Sequence, residues 1–226
     1  MLTRRQFQRS LLCAPALAWA GHAQADAYHD FFMAIEFNRG SEVAALLRRG
    51  FDPNALNAQR EPALLAALRN NANAAASALL QARGIQVNAR NAKGETALML
   101  AALRGNLALV QLLIERDADV NQEGWTALHY AASSIENQAP AIIALLLEQH
   151  AYIDAASPND STPLMMAVRY GTADAARLLL REGADPSLKN QLGLGALDFA
   201  RQAGREDMVE LLGQALRQRQ PGRGRW

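Results

Sequence analysis

A motif that recurs at intervals of 30 to 36 residues restricts the possible folds of this chain more than any other feature. The segment TALMLAALRGNLALVQLLIERDADVN (Thr96 to Asn121) aligns with TPLMMAVRYGTADAARLLLREGADPS (Thr162 to Ser187), and TALHYAA, beginning at Thr126, opens a third copy. Weaker copies complete a series whose starting positions are 29, 62, 96, 126, 162 and 195. Since so short a unit cannot bury an apolar face alone, the copies must stack on one another, and the sequence predicts a solenoid.

Each copy carries residues that favour two short helices joined by a turn. Thr126 and Thr162 suit the N-terminal cap of a helix, and Pro163 suits its first turn. Glycine or asparagine recurs where the first helix is expected to end, a position that favours left-handed backbone; these residues are Asn38, Asn71, Gly105, Gly171 and Gly204. Leucine pairs give each second helix an apolar stripe, with Leu112 and Leu178 expected to be equivalent buried residues. The pairs are Leu112-Leu113, Leu145-Leu146 and Leu178-Leu179.

Six such copies resemble the ankyrin repeat family, whose motif is Thr-Pro-Leu-His, a glycine, a Leu-Leu pair and then Gly-Ala-Asp-Val-Asn. The resemblance covers residues 26–216, nearly all of the chain after its first 25 residues. It implies an all-α solenoid of about six helix-turn-helix repeats joined by short hairpin loops. The first copy lacks the Thr-Pro-Leu opening and the last has Gly195 in place of threonine, so both are expected to cap the array.

The first 25 residues have the three parts of an export signal. A basic head contains Arg4 and Arg5, an apolar run extends from Leu11 to Ala20, and Ala23-Gln24-Ala25 fits the pattern for cleavage before Asp26. The head, TRRQF, resembles the bacterial twin-arginine motif, although Gln8 stands where leucine is usual. We therefore expect residues 1–25 to be a signal peptide that delivers the protein to the periplasm, through the twin-arginine route or, alternatively, the general secretory route. The apolar run is too short to span a bilayer, so we expect no stable membrane insertion after cleavage.

Charge is unevenly distributed along the chain. The first 25 and last ten residues carry three and four arginines and no acid, which leaves 16 basic and 22 acidic residues between them. This acidic body argues against a nucleic-acid partner. The tail RQRQPGRGRW (217–226) is predicted to be disordered. The one cysteine, Cys13, lies inside the predicted signal peptide, so we expect neither disulfides nor thiol chemistry.

His129, within the stretch GWTALHYAA, is the residue that most resembles part of a catalytic site. It occupies the histidine position of the family motif, where the resemblance implies a structural hydrogen-bond network between adjacent turns. The sequence has no glycine-rich phosphate loop, nucleophile elbow or cysteine-histidine metal spacing. We therefore predict no catalytic residue, no metal, no cofactor and no enzymatic activity. The alternative is a ligand-binding or hydrolytic protein that uses a polar pocket near His129.

The resemblance places the binding surface of the chain on its concave face. In the ankyrin family, binding residues lie on the hairpin fingers and at the exposed end of the first helix of each repeat. The finger VNQEGWT is three residues shorter than VNARNAKGET, which is expected to leave Trp125 beside a notch. Arginines interleaved with apolar side chains are typical of protein-protein hot spots and suit an acidic, partly apolar partner. The predicted partner-binding residues are Arg69, Leu103, Arg104, Trp125, Arg169 and Tyr170.

These predictions describe a monomeric, exported, non-enzymatic scaffold that binds another protein. Resemblance to secreted bacterial ankyrin proteins implies a role in supporting a stress-response enzyme such as a catalase. An ankyrin effector acting inside a cell is the alternative, and it predicts an uncleaved amino terminus.

Overall fold

The computed structural model describes residues 26–219, so the predicted signal peptide and residues 220–226 lie outside the described part of the chain. Residues 26–219 form six pairs of helices, which confirms the all-α repeat solenoid. In chain order the helices are α1 (26–36), α2 (Gly40–Arg48), α3 (Ala63–Arg69), α4 (Asn73–Leu80), α5 (Ala97–Leu103), α6 (Leu107–Glu115), α7 (Ala127–Ser133), α8 (Ala139–Glu148), α9 (Pro163–Tyr170), α10 (Ala173–Arg181), α11 (Ala196–Gln202) and α12 (Glu206–Arg219). Helix α12 extends three residues beyond position 216, where the sequence analysis ended the repeat domain.

The helices form two layers, because first helices pack on first helices of neighbouring repeats and second helices pack on second helices. The core between the layers contains the second member of each leucine pair, and Leu113, Leu146 and Leu179 are fully buried. Leu112 and Leu178 are only half-buried, so the expectation that they are the buried pair is wrong by one position. Each step along a helix turns the side chain by about 100°, so adjacent leucines cannot both point at the centre of the core.

Positive backbone φ angles end most of the first helices as expected. Asn38, Asn71, Gly105 and Gly204 have φ values of 54°, 56°, 65° and 66°. Gly171 does not follow them, because its φ is −85°. A Cβ atom at this position would collide with the carbonyl oxygen of Ala132 in the preceding repeat. The glycine is therefore required for close packing between repeats and not for a left-handed turn.

Four hairpin fingers share one turn, in which the backbone amide of the first finger residue donates to the carbonyl of the fifth. In the finger that begins at Asn57 this bond, to Glu61, is 2.9 Å long. Equivalent bonds of 3.0 to 3.2 Å begin at Asn91, Ser157 and Asn190. The shortened third finger closes differently, with Gln122 Nε2 donating to the carbonyl oxygen of Trp125 at 2.6 Å. The missing residues therefore change the turn of this finger but leave the helix pairs on either side intact.

Asparagine side chains join successive repeats at the bases of the fingers. Asn88 Nδ2 donates to the Asp117 carbonyl at 3.1 Å, and its Oδ1 accepts from the Asp119 amide at 2.9 Å. Asn54 and Asn121 make the same pair of bonds to the repeats that follow them. The stacking of repeats is thus fixed by directional polar contacts as well as by the apolar core.

Candidate functional site

His129 is part of the structure that begins α7. Its side chain is 1% exposed. The ring Nε2 lies 2.9 Å from the carbonyl oxygen of Ser161 and therefore donates to it, which leaves Nδ1 to accept from the amide (3.2 Å) and the hydroxyl (2.9 Å) of Thr126. Burial lowers the pKa of His129, and the bond to Ser161 offsets this only in part. Both ring nitrogens are thus hydrogen-bonded, Nδ1 to the cap of the same helix and Nε2 to the finger that precedes the next first helix.

Residues at the position of His129 in three other repeats have the same role. Met99 and Met165 each accept the amide of the capping threonine through sulfur at 3.4 Å. Asp198 accepts the Gly195 amide through its carboxylate at 2.9 Å. Since imidazole, thioether and carboxylate share only the ability to accept this bond, the repeated geometry supports a structural role for His129.

The predicted partner-binding residues lie on one surface, which we call the inner face. It consists of the finger residues that precede each first helix and the last residues of the first helices. Arg69, Leu103 and Arg104 form one group on it, since Arg104 Nη2 donates to the Arg69 carbonyl at 2.8 Å. Arg169 and Tyr170 form a second group in the fifth repeat. The fourth repeat lies between the two groups.

Arg69 is the centre of an ion-pair network on the inner face that joins three repeats. Its Nη2 lies 2.6 Å from a Glu61 carboxylate oxygen and 2.8 Å from a Glu95 carboxylate oxygen. Glu95 also accepts from Asn91 Nδ2 at 2.7 Å and from the Tyr130 hydroxyl at 3.1 Å. One guanidinium therefore serves two carboxylates, and its charge is fully compensated within the protein.

The pKa values of this network follow from those contacts. Hydrogen bonds with Glu61 and then Glu95 raise the pKa of Arg69. Burial acts to raise the pKa of Glu95, but bonds from Arg69, Asn91 and Tyr130 outweigh it, so the pKa is lowered. Burial, followed by the negative charge of Glu95, raises the pKa of Tyr130 to about 12. At neutral pH the arginine and Glu95 are thus charged, and the tyrosine is a neutral donor.

Arg104 and Arg169 differ from Arg69 because neither forms an ion pair within residues 26–219. The Arg169 guanidinium carbon lies 5.1 Å from the ring centre of Tyr170 and 5.4 Å from that of Phe199. Beside these cations Leu103 is 37% exposed and Tyr170 is 52% exposed. The three arginines are therefore not equivalent, and two of them remain able to pair with an external carboxylate.

Trp125 has a larger share in packing than the sequence predicted. Its ring is half-buried against the core and makes an edge contact with His129, with ring centroids 5.2 Å apart. The shortened finger therefore folds its tryptophan onto the repeat, a packing role that the expected position beside a notch did not predict. Replacement of Trp125 is expected to cost stability, so it cannot serve as a clean probe of binding.

Sequence reasoning missed the pairing of two inner-face carboxylates with Arg69. Glu61 and Glu95 occupy the same position, directly before the residue that opens the next first helix, and aligning the fingers would have shown this. Phe199, which contacts Arg169 across a repeat boundary, has no comparable signal because aromatic residues at helical spacing usually indicate core.

Within residues 26–219 no three histidine, cysteine, aspartate or glutamate side chains lie close enough together to hold a metal ion. Over the same residues, no helix combines the length and the apolar character needed to cross a bilayer.

Stacked helix pairs, polar fingers and an inner face with exposed cations and apolar side chains define a helical repeat scaffold. The model of the family described as ankyrin repeats matches residues 31–122, 78–157 and 134–219. The chain therefore belongs to the ankyrin repeat family. Such repeats are typically non-enzymatic interaction domains, and they imply protein partners for this chain.

Several curated proteins resemble part of the chain. The ankyrin repeat and KH domain-containing protein mask-1 of Caenorhabditis elegans is 35% identical over 115 residues, which cover 50% of this chain and 4% of that protein. The ankyrin repeat and SOCS box protein 16 of Mus musculus is 38% identical over 112 residues, 46% of this chain and 25% of that protein. The palmitoyltransferase Hip14 of Drosophila melanogaster is 38% identical over 97 residues, 41% of this chain and 15% of that protein. The matches thus span a quarter or less of each of these relatives.

Proposed function

We propose that the protein is an exported, non-enzymatic scaffold that binds a partner protein through its inner face. The observation that carries the proposal is that Arg104 and Arg169 have no carboxylate partner in residues 26–219 while Leu103 and Tyr170 are exposed beside them. The partner surface that complements these groups is acidic and partly apolar. Charge pairing with the partner therefore rests on Arg104 and Arg169, whereas the sequence predicted that Arg69 would take part as well.

The two cations are partly ordered before any partner arrives. One N–H group of Arg104 is bonded to the Arg69 carbonyl, and the Arg169 guanidinium is held beside two aromatic rings. A guanidinium fixed in this way loses less side-chain entropy when it pairs with a carboxylate, which favours binding. The arrangement therefore suits recognition of a folded acidic surface.

Export is the second part of the proposal, and it is supported by the sequence of residues 1–25. The basic head, apolar run and Ala23-Gln24-Ala25 site direct the protein to the periplasm, with the mature chain beginning at Asp26. Support of a stress-response enzyme is the biological role that we propose by analogy with secreted bacterial ankyrin proteins.

Two other functions make different predictions. An effector acting inside a cell would retain residues 1–25. A hydrolytic or ligand-binding site at His129 would need an accessible imidazole, and the burial and double hydrogen bonding of His129 argue against it.

Affinity capture from a periplasmic extract tests the proposed face. The double variant Arg104→Ala, Tyr170→Ala should capture less partner than the parent protein, and capture by the parent should weaken as salt rises. The matched control is Arg116→Ala, Tyr152→Ala: Arg116 likewise donates to a carbonyl of the preceding repeat, and Tyr152 is likewise exposed, but both follow second helices. Equal loss in both variants, or in neither, would show that the inner face is not the binding surface.

Cell fractionation with mass measurement tests export. The expected product is a periplasmic chain that begins at Asp26, and a full-length cytoplasmic chain would contradict the proposal. An Arg4→Lys, Arg5→Lys variant that is still exported would exclude only the twin-arginine route.

A further inference from the structure

The first two repeats form a groove of about 500 Å³ on the inner face, between α1, the first finger and α3. Its lining includes aromatic rings and carboxylates, a combination that the sequence analysis did not identify. The lining residues that matter here are Tyr28, Phe32, Glu36, Gln59, Glu61 and Arg69. Its volume lies within the range of specific ligand sites, which is roughly 300–1,000 Å³.

The aromatic wall of the groove is held in place by contacts with its surroundings. The Tyr28 hydroxyl donates to the Leu56 carbonyl of the finger at 2.7 Å, and the Tyr28 and Phe32 ring centroids are 4.8 Å apart. Tyr28 is nevertheless 38% exposed. A fixed and accessible aromatic ring is a surface on which a cation, a guanidinium above all, is stabilised.

The charge of the groove is negative, opposite to that of the cations farther along the inner face. Glu36 is exposed and forms no ion pair within the described residues. Glu61 and Glu95 share the single guanidinium of Arg69, while Arg104 reaches only the Arg69 carbonyl. The groove is thus lined by two carboxylates, Glu36 and Glu61, and by one arginine, Arg69. Because Arg69 is already paired, an added positive charge beside Glu36 would be favoured.

We propose that this groove binds an arginine side chain of the partner protein, whose positive charge is stabilised by the Glu36 carboxylate and by the aromatic wall that Tyr28 and Phe32 form. The proposal rests on the proposed function and makes it more specific. A partner that meets carboxylates at the first repeats and arginines at the third and fifth repeats must carry charges of opposite sign at its two ends. The inner face would then fix the direction in which the partner lies along the array.

Fluorescence anisotropy with a labelled peptide tests the proposal without knowledge of the partner. The probe is fluorescein-GSRGSRGS-amide, and equally labelled peptides with glutamine or glutamate in place of arginine are its controls. We expect saturable binding of the arginine peptide at low salt and much weaker binding of both controls. Glu36→Gln should weaken binding by about threefold to tenfold, the range of an exposed charge-assisted hydrogen bond.

Matched variants separate the groove from general attraction to an acidic protein. Glu115→Gln removes an exposed carboxylate at the end of a second helix and should leave peptide affinity unchanged. Tyr28→Phe keeps the ring and should bind, whereas Tyr28→Leu should not. Circular dichroism of each variant confirms that the helices remain.

Three results would overturn the proposal. They are failure of the arginine peptide to bind, equal loss in Glu36→Gln and Glu115→Gln, and concentration-dependent self-association that Glu36→Gln abolishes. The last would identify a second copy as the occupant. Since the proposed function is tested by partner capture with Arg104 and Tyr170 variants, the two proposals can fail independently.

Discussion

Replacing Leu113 and Leu112 by alanine tests the two-layer packing of the repeats. Leu113 is fully buried between the second helices, whereas its neighbour Leu112 is half-buried. Leucine to alanine removes about three carbon groups, worth about 2.4 kcal/mol when fully buried, and the cavity left behind raises the cost to about 3–4 kcal/mol. Because Leu112 is only half-buried and its neighbours have room to relax, Leu112→Ala should lower the free energy of unfolding by about 1 kcal/mol.

Urea unfolding measures this difference directly. With a slope of about 2 kcal/mol per molar urea, the Leu113→Ala midpoint should fall by roughly 1 M more than the Leu112→Ala midpoint. Circular dichroism and Trp125 fluorescence should be recorded together, because repeat arrays do not always unfold in one step. Equal midpoints for the two variants would refute the packing described for the second helices.

Three further changes test other parts of the structure. Lowering the pH below about 6.5 should destabilise the protein, because His129 takes up a proton more readily in the unfolded chain than when it is buried in the folded protein. His129→Met should reduce this pH dependence, measured by urea titrations at pH 8 and pH 5. Arg69→Met should lower the urea midpoint at pH 7 and lower it less near pH 3, where protonation removes the partly buried negative charge of Glu95 that the variant leaves without its arginine. Gly171→Ala should cost about 1–3 kcal/mol by the same assay, because its Cβ meets the Ala132 carbonyl, and an unchanged midpoint would contradict this close packing.

The repeat architecture could be predicted from the sequence because every copy carries the same local signals. Thr162 and Pro163 start α9 as the sequence indicated, and glycine or asparagine ends most first helices. The predictions that failed concerned the roles of single residues within a repeat. An adjacent pair such as Leu112-Leu113 offers two candidates for the core, and only the packed helix shows which is central. Likewise, residue type alone does not tell whether Gly171 serves a left-handed turn or a close approach.

The candidate site was predicted less completely because its chemistry depends on contacts between repeats. Arg69 and Arg104 were expected on the same side because they occupy adjacent offsets before the helix-ending residue, and the Arg104 guanidinium does contact the Arg69 carbonyl. The offset did not show that Glu61 and Glu95 compensate the charge of Arg69, since these acids lie in two different fingers, 8 and 26 residues from Arg69. The composition of the finger also did not show whether Trp125 packs against the core or lies exposed as a binding residue. Ion pairs between side chains of different repeats can be identified only from the folded structure.

Site-specific photo-crosslinking is the most direct test of the claim that the inner face binds a partner protein. A benzophenone side chain placed at Leu103, which is exposed at the centre of the first arginine group, should yield a covalent adduct with a second protein in cells that express the chain. The matched position is Ala108, which is exposed on the second-helix layer in the same repeat and should yield none. Adducts at Ala108 and not at Leu103 would contradict the account, because the partner would then lie on the opposite layer of the array.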